Sequence, residues 1–299
     1  MALVPFDDRD GFIWWDGKLV PWRDAKLHVL THGLHYASAV FEGERAYAGN
    51  IFRLRDHTDR LISSARILGF EIPYTADEID AACYQVMQAN GQTECYVRPI
   101  AWRGTEMLAV SAQLTTIHVA IATWPWPSYF ADKMTGIRLG MGEWLRPDPR
   151  TAPCHAKASG LYMIGTLSKH KAEAQGYDDA LLLDWRGNIS EATGANIFFV
   201  MGDELHTPTP DCFLDGITRR SVMALAKHRQ IKVVERAIRP EEMKQASEAF
   251  LAGTAAEVTP IREIGTDYTF TPGQISETLM RDYEKLVRMS PEEVARVTG

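Results

Sequence analysis

The sequence lacks an excess of positive charge: 32 Lys and Arg stand against 39 Asp and Glu, a net charge of −7. That removes the electrostatic footprint expected of a protein that binds nucleic acid or an anionic membrane. Cysteine is scarce. Cys83, Cys95, Cys154 and Cys212 are scattered without a C-x-x-C pair, which speaks against a disulfide framework and for a reducing, cytoplasmic setting. Cys154-His155 has no second pair of soft ligands at a suitable spacing, so no metal centre is expected. No apolar run approaches the roughly 18 residues that a membrane span needs. The first residues, Met-Ala-Leu-Val-Pro-Phe-Asp-Asp, lack the basic and apolar regions of a secretory signal, and none is expected. Low-complexity tracts and repeats are also missing. What remains is a chain of 299 residues, 45% hydrophobic and 24% charged, the profile of a globular protein long enough for two domains.

The patterning divides the chain near residue 125. Asp16-Gly17, between Phe12–Trp15 and Lys18–Val20, predicts a hairpin. A second hairpin is expected across Gly49-Asn50. Helices are expected from Asp56 to about Leu68 and over 76–89, the latter announced by the capping box Thr75-Ala-Asp-Glu78 and stopped by Asn90-Gly91. Glu94–Trp102 and Thr116–Trp124 read as strands. Trp124-Pro-Trp-Pro-Ser-Tyr-Phe130 forbids regular structure and reads either as a packed loop or as an interdomain segment lining a pocket. The second half predicts a helix over Ala156–Gln175, hairpins across Trp185–Gly187 and Gly202-Asp203, a helix over Thr218–Arg229, strands near 231–237 and 248–252, and a short final helix after Ser290. The expected fold class is therefore α+β / α/β, with residues 1–124 as a small domain, 125–135 as a loop and 136–299 as a larger domain.

Three groups of residues suggest chemistry. Gly216-Ile-Thr218 opens a helix, so backbone N–H groups and the positive end of the helix dipole can face an anion. Gly253-Thr254 offers a second backbone-and-hydroxyl pair, and Arg60 can supply charge. Lys157, among small residues after a proline-rich linker and at the start of an apolar helix, is a candidate nucleophile; an exposed helix lysine reads the same way. Glu191 is a carboxylate able to partner a pyridine nitrogen, or a plain strand glutamate.

The spacing across these pieces carries a resemblance. Glu191-Ala-Thr-Gly-Ala-Asn196-Ile197-Phe198, then Leu205-His-Thr207, then Leu214-Asp-Gly216-Ile217-Thr-Arg219 resembles the signature of class IV pyridoxal-phosphate aminotransferases. Trp15-Asp-Gly17, Val40-Phe-Glu-Gly43, Tyr96-Val-Arg-Pro99, Ala156-Lys157 with Tyr162, and Gly253-Thr-Ala-Ala-Glu-Val-Thr-Pro260 are similar to the branched-chain-amino-acid branch, and the likeness runs from about residue 12 to residue 288. It implies the D-amino-acid-aminotransferase-like fold, a small α+β domain and a larger pseudo-barrel domain, assembled as a homodimer or higher homo-oligomer. It implies pyridoxal 5'-phosphate held covalently by Lys157, with Glu191 on the ring nitrogen and Tyr162 on the ring hydroxyl. Arg60, Ile217, Thr218 and Thr254 are implied at the phosphate. Tyr36, Tyr96, Arg98, Trp126, Tyr129 and Ala255 are implied around the substrate, Tyr36 from the partner subunit. The implied reaction moves an amino group from L-leucine, L-isoleucine or L-valine to 2-oxoglutarate in a ping-pong sequence.

One stretch departs from that pattern. Where the branched-chain branch has a Gly-Met-Gly-Val-like turn, this chain has Gly104-Thr-Glu-Met-Leu-Ala-Val110. Glu106 is expected to weaken carboxylate binding there by repulsion. This keeps open an (R)-amine or D-amino-acid aminotransferase, an aminodeoxychorismate-type lyase, or a protein that binds the cofactor without turnover. Retention of both Lys157 and Glu191 argues against the last.

Overall fold

A computed structural model describes residues 4–126 and 133–298. The chain divides into two units, Met1–Pro127 with Ala156–Gly160, and Ser128–His155 with Leu161–Gly299. The short segment Ala156–Gly160 thus packs with the first unit.

The first unit is a seven-stranded sheet with two long helices. Phe12–Trp15 and Lys18–Pro21 form the expected hairpin, with Asp16 at φ 45 and Gly17 at φ 91. Both central residues are left-handed, as the right-handed strand twist requires of a two-residue turn. The second hairpin turns one residue earlier than expected, at Ala48-Gly49, with Tyr47 opposite Asn50. Its leading strand is interrupted: Ala39–Phe41 and Glu44–Tyr47 are separate, with Glu42-Gly43 between them.

The helix Ala76–Ala89 carries the capping box, Thr75 accepting from the Glu78 N–H and Glu78 from the Thr75 N–H. The helix Leu54–Ile67 starts two residues before the expected Asp56, capped by Arg53 in a left-handed conformation and forked onto Asp56. Leu61 and Ala65 lie one turn apart and are fully buried with Ile79, Cys83 and Val86 of the second helix. Truncating Leu61 to Ala there costs about 2–5 kcal/mol. The strands Cys95–Arg103 and Ile117–Pro125 pair along their whole length, Tyr96 opposite Trp124 and Arg98 opposite Ala122.

The second unit is built on a nine-stranded sheet that closes on itself. Ile189–Ala192 pairs with Asp179–Leu183, which pairs in parallel with Ile137–Met141. That strand pairs in parallel with Glu257–Ile264, followed by Glu248–Gly253 and Asn196–Met201. The ring closes where Glu191 faces Asn196. Glu204–Pro208 and Val233–Arg236 extend it. This is the barrel-like sheet that the resemblance implies. The helices Ile217–His228, Gln274–Leu286 and Pro291–Thr298 follow the strands. Neither the strand Glu257–Ile264 nor the helix Gln274–Leu286 was expected from local pattern.

The expected helix over Ala156–Gln175 begins late. Met163–Ala174 is helical and Ser159–Tyr162 is a single 3-10 turn, but Lys157 lies before both. Its N–H donates to Ser64 Oγ (2.9 Å), its carbonyl accepts from the Phe41 N–H (3.1 Å), and Ala158 bridges to Val40. Pairing with the interrupted strand takes the backbone groups that a helix needs.

Candidate active site

In the first unit the candidates gather on the tripeptide Phe41-Glu42-Gly43, where the strand is interrupted. The Phe41 ring lies 5.1 Å from Lys157 Nζ and 4.7 Å from the Arg98 guanidinium carbon. An aromatic face between two cations holds both without neutralising either. Tyr96 and Arg98 are two residues apart on one strand and so share a face; Arg98 Nη2 donates to the Tyr96 hydroxyl at 3.2 Å. The Tyr96 ring stands 5.0 Å from both Trp124 and Trp126. Its hydroxyl approaches Gly43 so closely that a Cβ there would overlap it.

Glu42 is fully buried and meets Arg60 through two bonds, Nε at 2.7 Å and Nη2 at 2.8 Å. His57 Nδ1 lies 2.7 Å from the same carboxylate. Burial opposes the charge on Glu42, yet Arg60 and then His57 hold its carboxyl far below the usual carboxylate range. Burial pushes His57 the other way and keeps it neutral despite Glu42, with Arg60 and Lys157 adding to that effect. The Glu42–His57 contact is thus a hydrogen bond from a neutral Nδ1–H.

In the second unit the candidates lie at the seam of the closed sheet. Glu191 is 8% exposed. Its Oε1 meets Arg146 Nη2 at 2.9 Å and its Oε2 accepts from Asn196 Nδ2 at 3.4 Å. Asn196 also donates to the Leu214 carbonyl (3.0 Å), so one amide joins the carboxylate to the loop before Gly216. A Cβ at Gly216 would collide with Asn196 Oδ1. Ile217 and Thr218 are the first residues of the helix Ile217–His228, whose N-terminus has no side-chain cap; such an end is an anion site. Thr218 is buried, its hydroxyl 3.3 Å from that of Tyr283. Beneath the loop, the buried Arg219 ties Asp215 (2.8 Å), the Pro208 carbonyl (3.1 Å) and Glu235 (2.6 Å) together. Thr254 and Ala255 are half-buried in the three-residue turn between Gly253 and Glu257. Gly253 packs so near Ala195 that a Cβ would touch it at 3.0 Å. Tyr162 is half-buried, next to Leu161, whose carbonyl accepts from Arg146 Nη1 at 3.5 Å.

Two substrate candidates stand apart from these groups. Tyr36 is 46% exposed and stacks on His32 at 4.6 Å. Tyr129 lies outside the described residues. Glu106 is exposed in the loop that departs from the family pattern. Its Oε2 accepts from the Thr116 N–H at 3.1 Å. Hydrogen bonding from the Thr116 side chain foremost, with the backbone N–H groups of Glu106 and Thr116 and then His118 adding to it, holds its carboxyl below the usual range against partial burial. The charge is engaged at the base of its own loop and exposed to screening water.

Local pattern missed Phe41, His57 and Arg146 as site residues, and it cited Glu42 only as part of a motif. The signal for Phe41 and Glu42 was present in Val40-Phe-Glu-Gly43. Arg146 carried no signal, because a strand pairing brings it to Glu191. Its backbone N–H donates to Leu183 on the strand beside Ile189–Ala192.

The chain is similar to proteins of one family over most of its length. The family model for amino-transferase class IV matches residues 39–264. The chain is 41% identical over 288 residues to the branched-chain-amino-acid aminotransferase of Pseudomonas aeruginosa, covering 94% of each. It is 40% identical over 291 residues to a probable enzyme of that name from Rickettsia felis, covering 96% of this chain and 100% of the other. Among solved structures, the branched-chain aminotransferase of Thermoproteus uzoniensis with norvaline matches with TM-score 0.89 at 37% identity, over 93% of this chain and 95% of that one. The branched-chain amino acid aminotransferase of Thermobaculum terrenum in its PLP-form matches with TM-score 0.85 at 31% identity, over 93% and 94%. The chain belongs to the class IV aminotransferases.

Proposed function

We propose that this enzyme transfers the amino group of L-leucine, L-isoleucine or L-valine to 2-oxoglutarate, using pyridoxal 5'-phosphate. The observation that carries the reading is the seam at Glu191 and Asn196, where one amide links a buried carboxylate to the loop before an uncapped helix end. A heterocycle with a basic nitrogen at one end and a phosphate at the other fits that pair. Gly216 and Gly253 support the fit, because neither leaves room for a side chain.

The residues then take these roles. Lys157 holds the cofactor through its amine, Glu191 pairs with the ring nitrogen, and Tyr162 bonds the ring hydroxyl. Arg60, Ile217, Thr218 and Thr254 take the phosphate. The cofactor, when bound, supplies a carbonyl that accepts the amino group and a ring that stores the electron pair left at Cα. Lys157 Nζ moves the proton: it takes it from the substrate Cα as a general base and later returns one as a general acid. Glu191, held by Arg146 and Asn196, keeps the ring nitrogen protonated. Tyr96, Arg98, Trp126, Tyr129 and Ala255 surround the substrate. Arg98, forked toward Tyr96, is the cation suited to a substrate carboxylate.

Adding L-leucine to the yellow enzyme is expected to shift its visible band within a single half-reaction. A shift with D-alanine or (R)-1-phenylethylamine, but none with L-leucine, overturns the branched-chain reading. The enzyme works as a homodimer in the cytoplasm, with Tyr36 reaching the partner's substrate. Exposed apolar residues on the first unit support this: Val29 at 70%, Leu34 at 57%, Val110 at 88% and Leu114 at 82%. Sedimentation that returns the mass of one chain sinks it. The four buried free cysteines fit the reducing compartment, and recovery from an oxidising one on fractionation contradicts it.

A further inference from the structure

We propose that Glu42 is the positioning residue for Arg60, so that phosphate is recognised there by a locked guanidinium direction rather than by net positive charge. This rests on the reading that Arg60 contacts the cofactor phosphate.

Two nitrogens of Arg60, Nε and Nη2, are committed to the two oxygens of Glu42. A bidentate fork fixes the plane of a guanidinium as well as its place. Glu42 cannot drift, because it is fully buried and its Oε2 is also held by His57 Nδ1 and, at 3.2 Å, by the Gly43 N–H. Its backbone is fastened as well, the N–H donating to the Pro99 carbonyl at 2.8 Å. The Arg60 side chain is 16% exposed, so the clamp lies at its buried side.

The charges of this group cancel. Ionised Glu42 offsets Arg60, and His57 is neutral. A cluster of zero net charge is a poor choice if attraction alone is required. It is a good choice if the direction of one donor group matters. The two accounts predict opposite signs when the carboxylate is removed. Glu42→Gln raises the local charge by one, so a field effect tightens phosphate binding. Loss of the fork frees the guanidinium and weakens binding.

The test uses the full chain stripped of cofactor, titrated calorimetrically with pyridoxal 5'-phosphate and with pyridoxal, which has no phosphate. Glu42→Gln is expected to weaken the phosphorylated ligand about tenfold or more and leave pyridoxal within about twofold. General damage to the fold weakens both equally and counts against the proposal, as does unchanged or tighter binding of the phosphorylated ligand. Should Glu42→Gln fail to fold, His57→Leu serves. It removes one donor from Glu42 and is expected to lower the same preference severalfold; an unchanged preference overturns the proposal. Arg60→Met separates the two layers. If it leaves the preference intact, the reading of Arg60 fails. If it abolishes the preference while Glu42→Gln does not, only the positioning role fails.

Discussion

Glu44 offers the sharpest test of the physics in the first unit. It is fully buried two residues from Glu42, and neither carboxylate oxygen has a hydrogen-bond partner among the described residues. The nearby Cys83 thiol is a weak donor at best. Burial foremost, with the charges of Glu42 and Asp80 adding to it, pushes the Glu44 carboxyl well above the usual range. The folded chain therefore keeps this proton after the unfolded chain, titrating near pH 4.3, has lost it. Above that pH the unfolded state binds fewer protons, so stability falls as pH rises, by about 1.4 kcal/mol per pH unit, until the folded pKa is reached. Glu44→Gln has the same shape and does not titrate. Its stability relative to the parent is expected to improve steadily from pH 5 upward. Urea denaturation of both proteins, cofactor-free, at pH 5, 6 and 7 reads the difference; a rise of about 1.4 kcal/mol per step is the limiting slope. Only the slope matters, because the buried amide carries an unpaired-group cost of its own, about 1–3 kcal/mol, that is independent of pH. A difference that stays flat, or that shrinks with pH, refutes the reasoning: Glu44 would then be ionised and paired in the folded state.

Two further substitutions test the two units separately. Gly43→Ala places a methyl group on the Tyr96 hydroxyl and is expected to raise KM more than it lowers kcat; Tyr96→Phe in the same chain should recover part of the loss, and no recovery would dismiss the overlap as the cause. Arg146→Met leaves the buried Glu191 without its ion-pair partner, a change expected to cost about 3–5 kcal/mol of stability, and an unaltered midpoint in thermal unfolding would show the pair to be idle.

Parts of the site were open to reading because they depend on short stretches. The uncapped start of the helix Ile217–His228 follows from Gly216-Ile-Thr218, and the hairpin Asn196–Met201 with Glu204–Pro208 follows from Gly202-Asp203. Local rules also placed the capping box at Thr75 and the final helix after Ser290. They failed at Lys157, where small residues after a proline suggested a helix. There the backbone groups were claimed by Ser64 and Phe41, more than ninety residues away in sequence.

Sequence alone determined the family, the hairpins, the helix starts near Ala76, Ile217 and Pro291, and which residue types are candidates. Each of those depends on periodicity, turn chemistry or fixed spacing within a few dozen residues. Only the tertiary structure decided that Phe41-Glu42-Gly43 gathers Lys157, Arg98, Arg60 and Tyr96. It alone decided that Arg146 faces Glu191, that Glu42 is ionised while Glu44 keeps its proton, and that the second sheet closes at Glu191 and Asn196. The reason is common to all four. A side chain's partner and charge state follow from what burial brings beside it, and two glutamates two residues apart carry no mark of which one an arginine will reach.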